Sequence, residues 1–281
     1  MEKIAIVMEG GGMRCSYSAG ALVAMSKKYP NFKPDILVGS SGSTGSLSYY
    51  VANQSPELER IWTRWLTSKE FLNIKRVRNI MDINYLIDTV FKKYEPLNVE
   101  KIRILNQKIF ISATNTKTGR KKFFTNHDKI FEALRASKAI PILFGKKVEI
   151  DGEKYIDGSL SCPISVNIKK AIDEGATKII VIKEENLFFH SYLINLFWRS
   201  WVIFKPKYLK RVIKNYINDY KLDYKMLKEI DGIEFHIMTP SKNYNTSAID
   251  NSVRTMRRNF ELGHLDLLTD KNIKEFINYD K

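Results

Sequence analysis

Histidine and cysteine are both scarce in this chain, and each scarcity excludes something. Only four histidines occur among 281 residues, His127, His190, His236 and His264, and none sits in a motif that marks it as a catalytic base. The two cysteines, Cys15 and Cys162, are too few for a disulfide framework and belong to no zinc-type cluster. No metal and no cofactor is therefore expected. No secretory leader is read at the start, because "MEKIAIVMEGG" runs straight into a strand-like segment. A reducing, cytoplasmic setting is the simplest expectation. No Gly/Ser/Pro-rich linker, internal repeat or low-complexity tract divides the sequence, so residues 1–281 read as one domain.

Acidic residues are also in deficit, 31 against 46 Lys and Arg, which leaves a formal net charge of +15. Such a charge suits polyanionic partners, nucleic acid or an anionic membrane surface, although a lysine-rich composition explains it equally well. Zinc-finger spacing, RNP-like aromatics and a helix-turn-helix signature are all missing, so nucleic acid is not the expected partner. One stretch, residues 187–221, is aromatic-rich first and basic later. Trp198, Trp201 and Phe204 precede Lys205, Lys207, Lys210, Arg211 and Lys214. His190, Asn195 and Arg199 interrupt its apolar run too often for a membrane-crossing helix. It reads either as a helical element peripheral to an anionic membrane or as helices packing aromatics into the core.

What is present is an alternation of strand-like and helix-like runs. "IAIVM" (4–8), "DILV" (35–38), "KIFISA" (108–113), "KIIVIK" (178–183) and "IEFHIM" (233–238) are apolar and short. Helix-like segments lie between them, at 18–28, 47–53, 56–66 and 129–137. This order predicts an α/β fold with a central, mostly parallel sheet between helical layers. Sites in such folds form at the C-terminal ends of strands. Two glycine clusters follow strands here.

The first, "EGGGMRCSYSAG", follows 4–8. A dinucleotide fingerprint would need glycine where Cys15 stands, and Asp35 opens the next strand instead of closing it. A phosphate-binding loop needs Gly-Lys-Ser/Thr, which neither cluster has. The remaining reading is an oxyanion hole, in which backbone amides face a developing negative charge. The second cluster, "VGSSGSTG", offers two nucleophile-elbow frames, one centred on Ser41 and one on Ser43. The apolar run ends at Val38, which places Ser41 at the tip of the turn and Ser43 half a turn into the following helix. That favours Ser41. Its base is not evident from the histidines, and the Asp-Gly pair at Asp157 is by itself only a turn signal.

Taken together, these segments resemble the patatin-like phospholipase family of serine acyl hydrolases. "GGGMR" is similar to that family's oxyanion motif, "GSSGS" to its elbow and "DGS" to its catalytic turn, while "LRASKAIPILF" is similar to the segment before that turn. The order and spacing match, and the similarity runs thinly over almost the whole chain. The resemblance implies a three-layer α/β/α fold and a Ser–Asp dyad, with Ser41 as nucleophile and Asp157 as base. It implies an oxyanion loop at Gly10, Gly11 and Gly12, braced by Arg14, with the Gly42 amide contributing. The implied reaction is hydrolysis of a lipid carboxylic ester through an acyl-enzyme. Two residues depart from the pattern: Cys15 replaces a glycine after "GGGMR", and Ser43 replaces the last glycine of the elbow. Ser43 is expected to crowd the elbow mildly. These departures leave a competing expectation, a catalytically silent protein of this fold that binds anionic lipid surfaces.

Overall fold

The computed structural model describes residues 2–184, 210, 230–242 and 246–279. The aromatic and basic stretch at 187–221 lies outside the described residues apart from Lys210. Its strands are β1 (Ile4–Met8), β2 (Ile36–Gly39), β3 (Lys108–Asn115), β4 (Lys121–Phe124), β5 (Val148–Ile150), β6 (Glu153–Asp157), β7 (Lys178–Ile182) and β8 (Glu234–Met238). They form one eight-stranded mixed sheet in the order β5-β6-β3-β2-β1-β7-β8, with β4 also paired to β3. The five strands from β3 to β8 run parallel, while β4, β5 and β6 add antiparallel pairs at one side.

Five segments with apolar runs became the parallel core, within a residue or two of expectation at most boundaries. The antiparallel strands carry Lys, Glu and Tyr and are half exposed, so no apolar run announces them. Alternation within the parallel strands sorts the core into two layers. Ile6, Met8, Leu37, Ile180 and Ile182 face one side, and Ala5, Val7, Ile36, Val38, Ile179 and Val181 face the other. On the first side pack α1 (Ser16–Lys28), α2 (Ser43–Val51), α5 (Ile130–Ser137) and α7 (Val253–Thr269). On the second packs α6 (Ile164–Asp173), whose Ile164, Ile168 and Ala171 close that layer. Helices on both faces of the sheet make this a three-layer α/β/α arrangement. Short helices α3 (Glu57–Arg60), α4 (Val99–Arg103) and α8 (Ile273–Phe276) complete the described set.

The expected helix at 56–66 is α3 continued by a wider, π-type turn at Ile61–Trp65. A second such stretch, Tyr85–Tyr94, buries Leu86, Ile87, Val90 and Phe91. Among the described residues no helix is long and apolar enough to cross a membrane.

Sheet register brings the site together. Met8 pairs with Gly39, and Gly39 pairs with Ile111. Two residues further along β3, Ala113 pairs with Asp157 at the end of the antiparallel β6. The antiparallel strand thus delivers Asp157 to the height of the turn that begins two residues past Gly39.

Candidate active site

Ser41 has φ of 54°, the left-handed region that a side chain other than Gly, Asn or Asp rarely occupies. A turn from β2 into α2 in so few residues imposes that strain, and strain of this kind holds the side chain at the tip. Ser41 is only 4% exposed, and its Oγ donates to Oδ2 of Asp157 at 2.7 Å. The Ser41 amide is fixed by Oγ of Ser137 at 3.0 Å, and Thr44 Oγ1 donates to the Ser41 carbonyl at 2.8 Å.

The neighbouring serines have other work. Ser40 Oγ lies 2.6 Å from Ser112 Oγ, donates to the Cys162 carbonyl at 3.1 Å and accepts from Asn167 Nδ2 at 2.8 Å. Ser43, one of the two departures from the family pattern, is bonded within the turn. Its hydroxyl donates to the Ser40 carbonyl at 2.8 Å and accepts from the Ser40 amide at 3.3 Å, closing the turn on itself. Cys15, the other departure, is buried with Sγ 2.9 Å from where a Cβ on Gly42 would stand. It fills space that the glycine at 42 leaves open.

Asp157 is 3% exposed. Its Oδ1 accepts from the Ser159 amide at 2.9 Å, its own amide donates to the Ala139 carbonyl at 3.0 Å, and Thr114 Oγ1 donates to its carbonyl at 2.7 Å. The carboxylate therefore cannot swing. Burial pushes its pKa up to about 6, against the opposing pull of hydrogen bonds from Ser41 and Ser159 and of the Lys138 charge. Gly158, directly after it, has no room for a side chain, since a Cβ there would lie 2.2 Å from the Ser112 carbonyl oxygen.

The glycine loop lies beside this pair. A Cβ on Gly10 would come within 3.0 Å of the Ser41 Cβ, so only glycine lets the loop approach the elbow. Gly12 has φ of 61°, and the Arg14 Nε donates to the Gly11 carbonyl at 3.2 Å. Drawing that carbonyl toward Arg14 turns the peptide so that its amide face is free to point elsewhere. The loop is also clamped from far along the chain, where the Met13 amide donates to the Ala248 carbonyl at 3.1 Å. No hydrogen bond to a described residue occupies the amides of Gly10 and Gly11.

An apolar pocket opens from Ser41 and Gly42, walled by Leu58, Trp62, Leu66, Phe71, Met81 and Phe91 among others. Two charged residues near the site were not legible in the sequence. Lys138, 5% exposed, lines this pocket and donates from Nζ to Thr44 Oγ1. Burial lowers its pKa to about 7. The fully buried Glu184 packs against Gly11, and burial raises its pKa to about 8. A lone lysine in "RASKAIP" gives no sign that the helix end will turn it inward. Among the described residues no histidine reaches Ser41 or Asp157. His236 pairs with Asp270 at 2.7 Å on β8, His264 lies on α7, and His127 is exposed in a turn. Nor do three metal-ligating side chains gather anywhere in the described residues.

The family model described as patatin-like phospholipase matches residues 6–168. The uncharacterized protein YjjU of Escherichia coli (strain K12) is 23% identical over 287 aligned positions, which cover 94% of this chain and 75% of that protein. The crystal structure of VipD from Legionella pneumophila matches with a TM-score of 0.45 at 12% identity, covering 95% of this chain and 67% of that one.

Proposed function

The chain belongs to the patatin-like phospholipase family, and from that premise we propose that it hydrolyses carboxylic esters of lipids through a Ser41–Asp157 dyad. One observation carries the reading: a strained serine whose hydroxyl lies 2.7 Å from a buried carboxylate, at the head of an apolar pocket.

The chemistry follows from the geometry. Ser41 Oγ attacks the ester carbonyl carbon while Asp157 takes the hydroxyl proton. The carbonyl oxygen gains negative charge, which the amides of the Gly10–Gly12 loop and of Gly42 stabilise. Collapse of the intermediate expels the alcohol, to which Asp157 returns the proton, and leaves Ser41 acylated. Water then attacks the acyl-enzyme with Asp157 again as base, and the fatty acid departs as Ser41 recovers its proton. A carboxylate with an ordinary pKa near 3.9 is a poor base toward an alcohol. Raising it to about 6 keeps it ionised at neutral pH and makes it a better one. The acyl chain is assigned to the apolar pocket, and the +15 charge suits an enzyme that works on an anionic bilayer.

The test is labelling with a fluorophosphonate followed by mapping of the modified residue. Label on Ser41, its loss in Ser41→Ala, and a fall in ester hydrolysis of about 10²–10⁴-fold in Asp157→Asn are expected. Label on Ser43, or an active Asp157→Asn beside a dead histidine variant, would sink the dyad.

A further inference from the structure

Between Phe71 and Met81 the sequence reads "FLNIKRVRNIM", with three cations and no acid. The segment is a small hairpin, not a slack loop. Leu72 and Met81 form an antiparallel bridge, and the Asn73 amide donates to the Ile80 carbonyl at 2.8 Å. The guanidinium of Arg76 turns inward and staples the bend, donating to the carbonyls of Lys69 at 2.9 Å, Glu70 at 3.2 Å and Asn79 at 3.3 Å. The root is tied down as well, by Met81 to the Leu143 carbonyl and by Asn251 Nδ2 to the Leu72 carbonyl.

This fixed backbone holds two large apolar side chains out in water. Ile74 is 69% exposed and Val77 is 96% exposed. Single exposed apolar residues are ordinary. A pair on a braced tip is less so, because the bracing keeps them from folding back onto the body. Lys75 and Arg78 alternate with them and are exposed too. At the root of the same hairpin, Phe71 and Met81 are buried and form part of the wall of the pocket that begins at Ser41. One short element therefore joins a basic, apolar tip to the acyl pocket.

We propose that hairpin 72–81 is the membrane-docking element of this protein, with Ile74 and Val77 entering the headgroup boundary of an anionic bilayer. Lys75 and Arg78 then meet lipid phosphates beside them. Docking there sets the pocket wall against the bilayer surface, so an acyl chain passes from lipid to pocket along Phe71 and Met81 with little exposure to water. The purpose of this docking rests on the lipid hydrolase reading, but binding itself is measured without any turnover.

The experiment is co-sedimentation of the full chain with vesicles of phosphatidylcholine alone and of an equal mixture of phosphatidylcholine and phosphatidylglycerol. Wild-type protein is expected to sediment with the mixed vesicles only. Ile74→Ser with Val77→Ser weakens that binding at least about ten-fold. Lys75→Gln with Arg78→Gln weakens it by a similar factor, at roughly five-fold per cation, and flattens its dependence on salt. Both double variants keep wild-type circular dichroism and wild-type hydrolysis of a soluble short-chain ester, because none of the four side chains lines the site. Variants that bind like wild-type overturn the proposal, as does wild-type protein that ignores anionic vesicles. Absence of fluorophosphonate labelling alongside hairpin-dependent binding would remove the hydrolase reading and leave the docking surface standing.

Discussion

Asp157 is pulled in two directions, and the balance is measurable. Burial favours the neutral acid, while the Ser41 hydroxyl, the Ser159 amide and the Lys138 charge favour the carboxylate, with burial winning by enough to reach about 6. Only the ionised form can take a proton from serine, so kcat/KM should fall as pH drops through about 6, with a single-proton limb. Replacing Lys138 by methionine removes one of the groups favouring ionisation, so that limb should move to higher pH. A limb near 4, or one that stays in place in Lys138→Met, would show that Asp157 is solvated or that the lysine does not act on it. The turn at Ser41 was legible in the sequence because a strand end and small residues fix where an elbow can form. Lys138 was not, since its significance lies in burial against Thr44, a contact 94 positions apart that no local pattern encodes.

At the level of elements, the five parallel strands announced themselves through apolar runs buried on both faces. The antiparallel strands at the side that brings Asp157 did not, because "KKFF", "VEI" and "EKYID" mix charged with apolar residues at a sheet side that is partly wet. Helix pairing was equally hidden. Helices α1 and α7 approach so closely that a Cβ on Gly20 would lie 1.9 Å from the Phe260 carbonyl oxygen, and one on Gly263 the same distance from that of Tyr17. Nothing in either helix's sequence says that the other's backbone will be there. Gly20→Ala must push the helices apart, and overpacking of this sort costs about 1–3 kcal/mol. Thermal unfolding should show a lower Tm by several degrees. An unchanged Tm would mean that the pair separates freely and that the contact is dispensable.

For the molecule as a whole, the stretch matched by the family model ends at residue 168, but the structure does not close there. β7, β8 and α7 lie beyond it; β7 pairs with β1, and α7 covers α1. We propose that the chain acts as one domain. A version ending at residue 240 should lose fluorophosphonate labelling of Ser41 and expose the α1 face, seen as aggregation in size-exclusion chromatography. Labelling that survives this cut would show that the N-terminal part is self-sufficient. The bond from the Met13 amide to the Ala248 carbonyl has a further consequence, in time and not in space. A ribosome delivers the glycine loop early and the carbonyl that clamps it 235 residues later (248 − 13), which at ~5–20 residues/s is roughly 12–47 s. Throughout that interval the glycine loop beside Ser41 is still unclamped. The braced form of the glycine loop therefore arrives with the last part of the fold, a delay written into chain order.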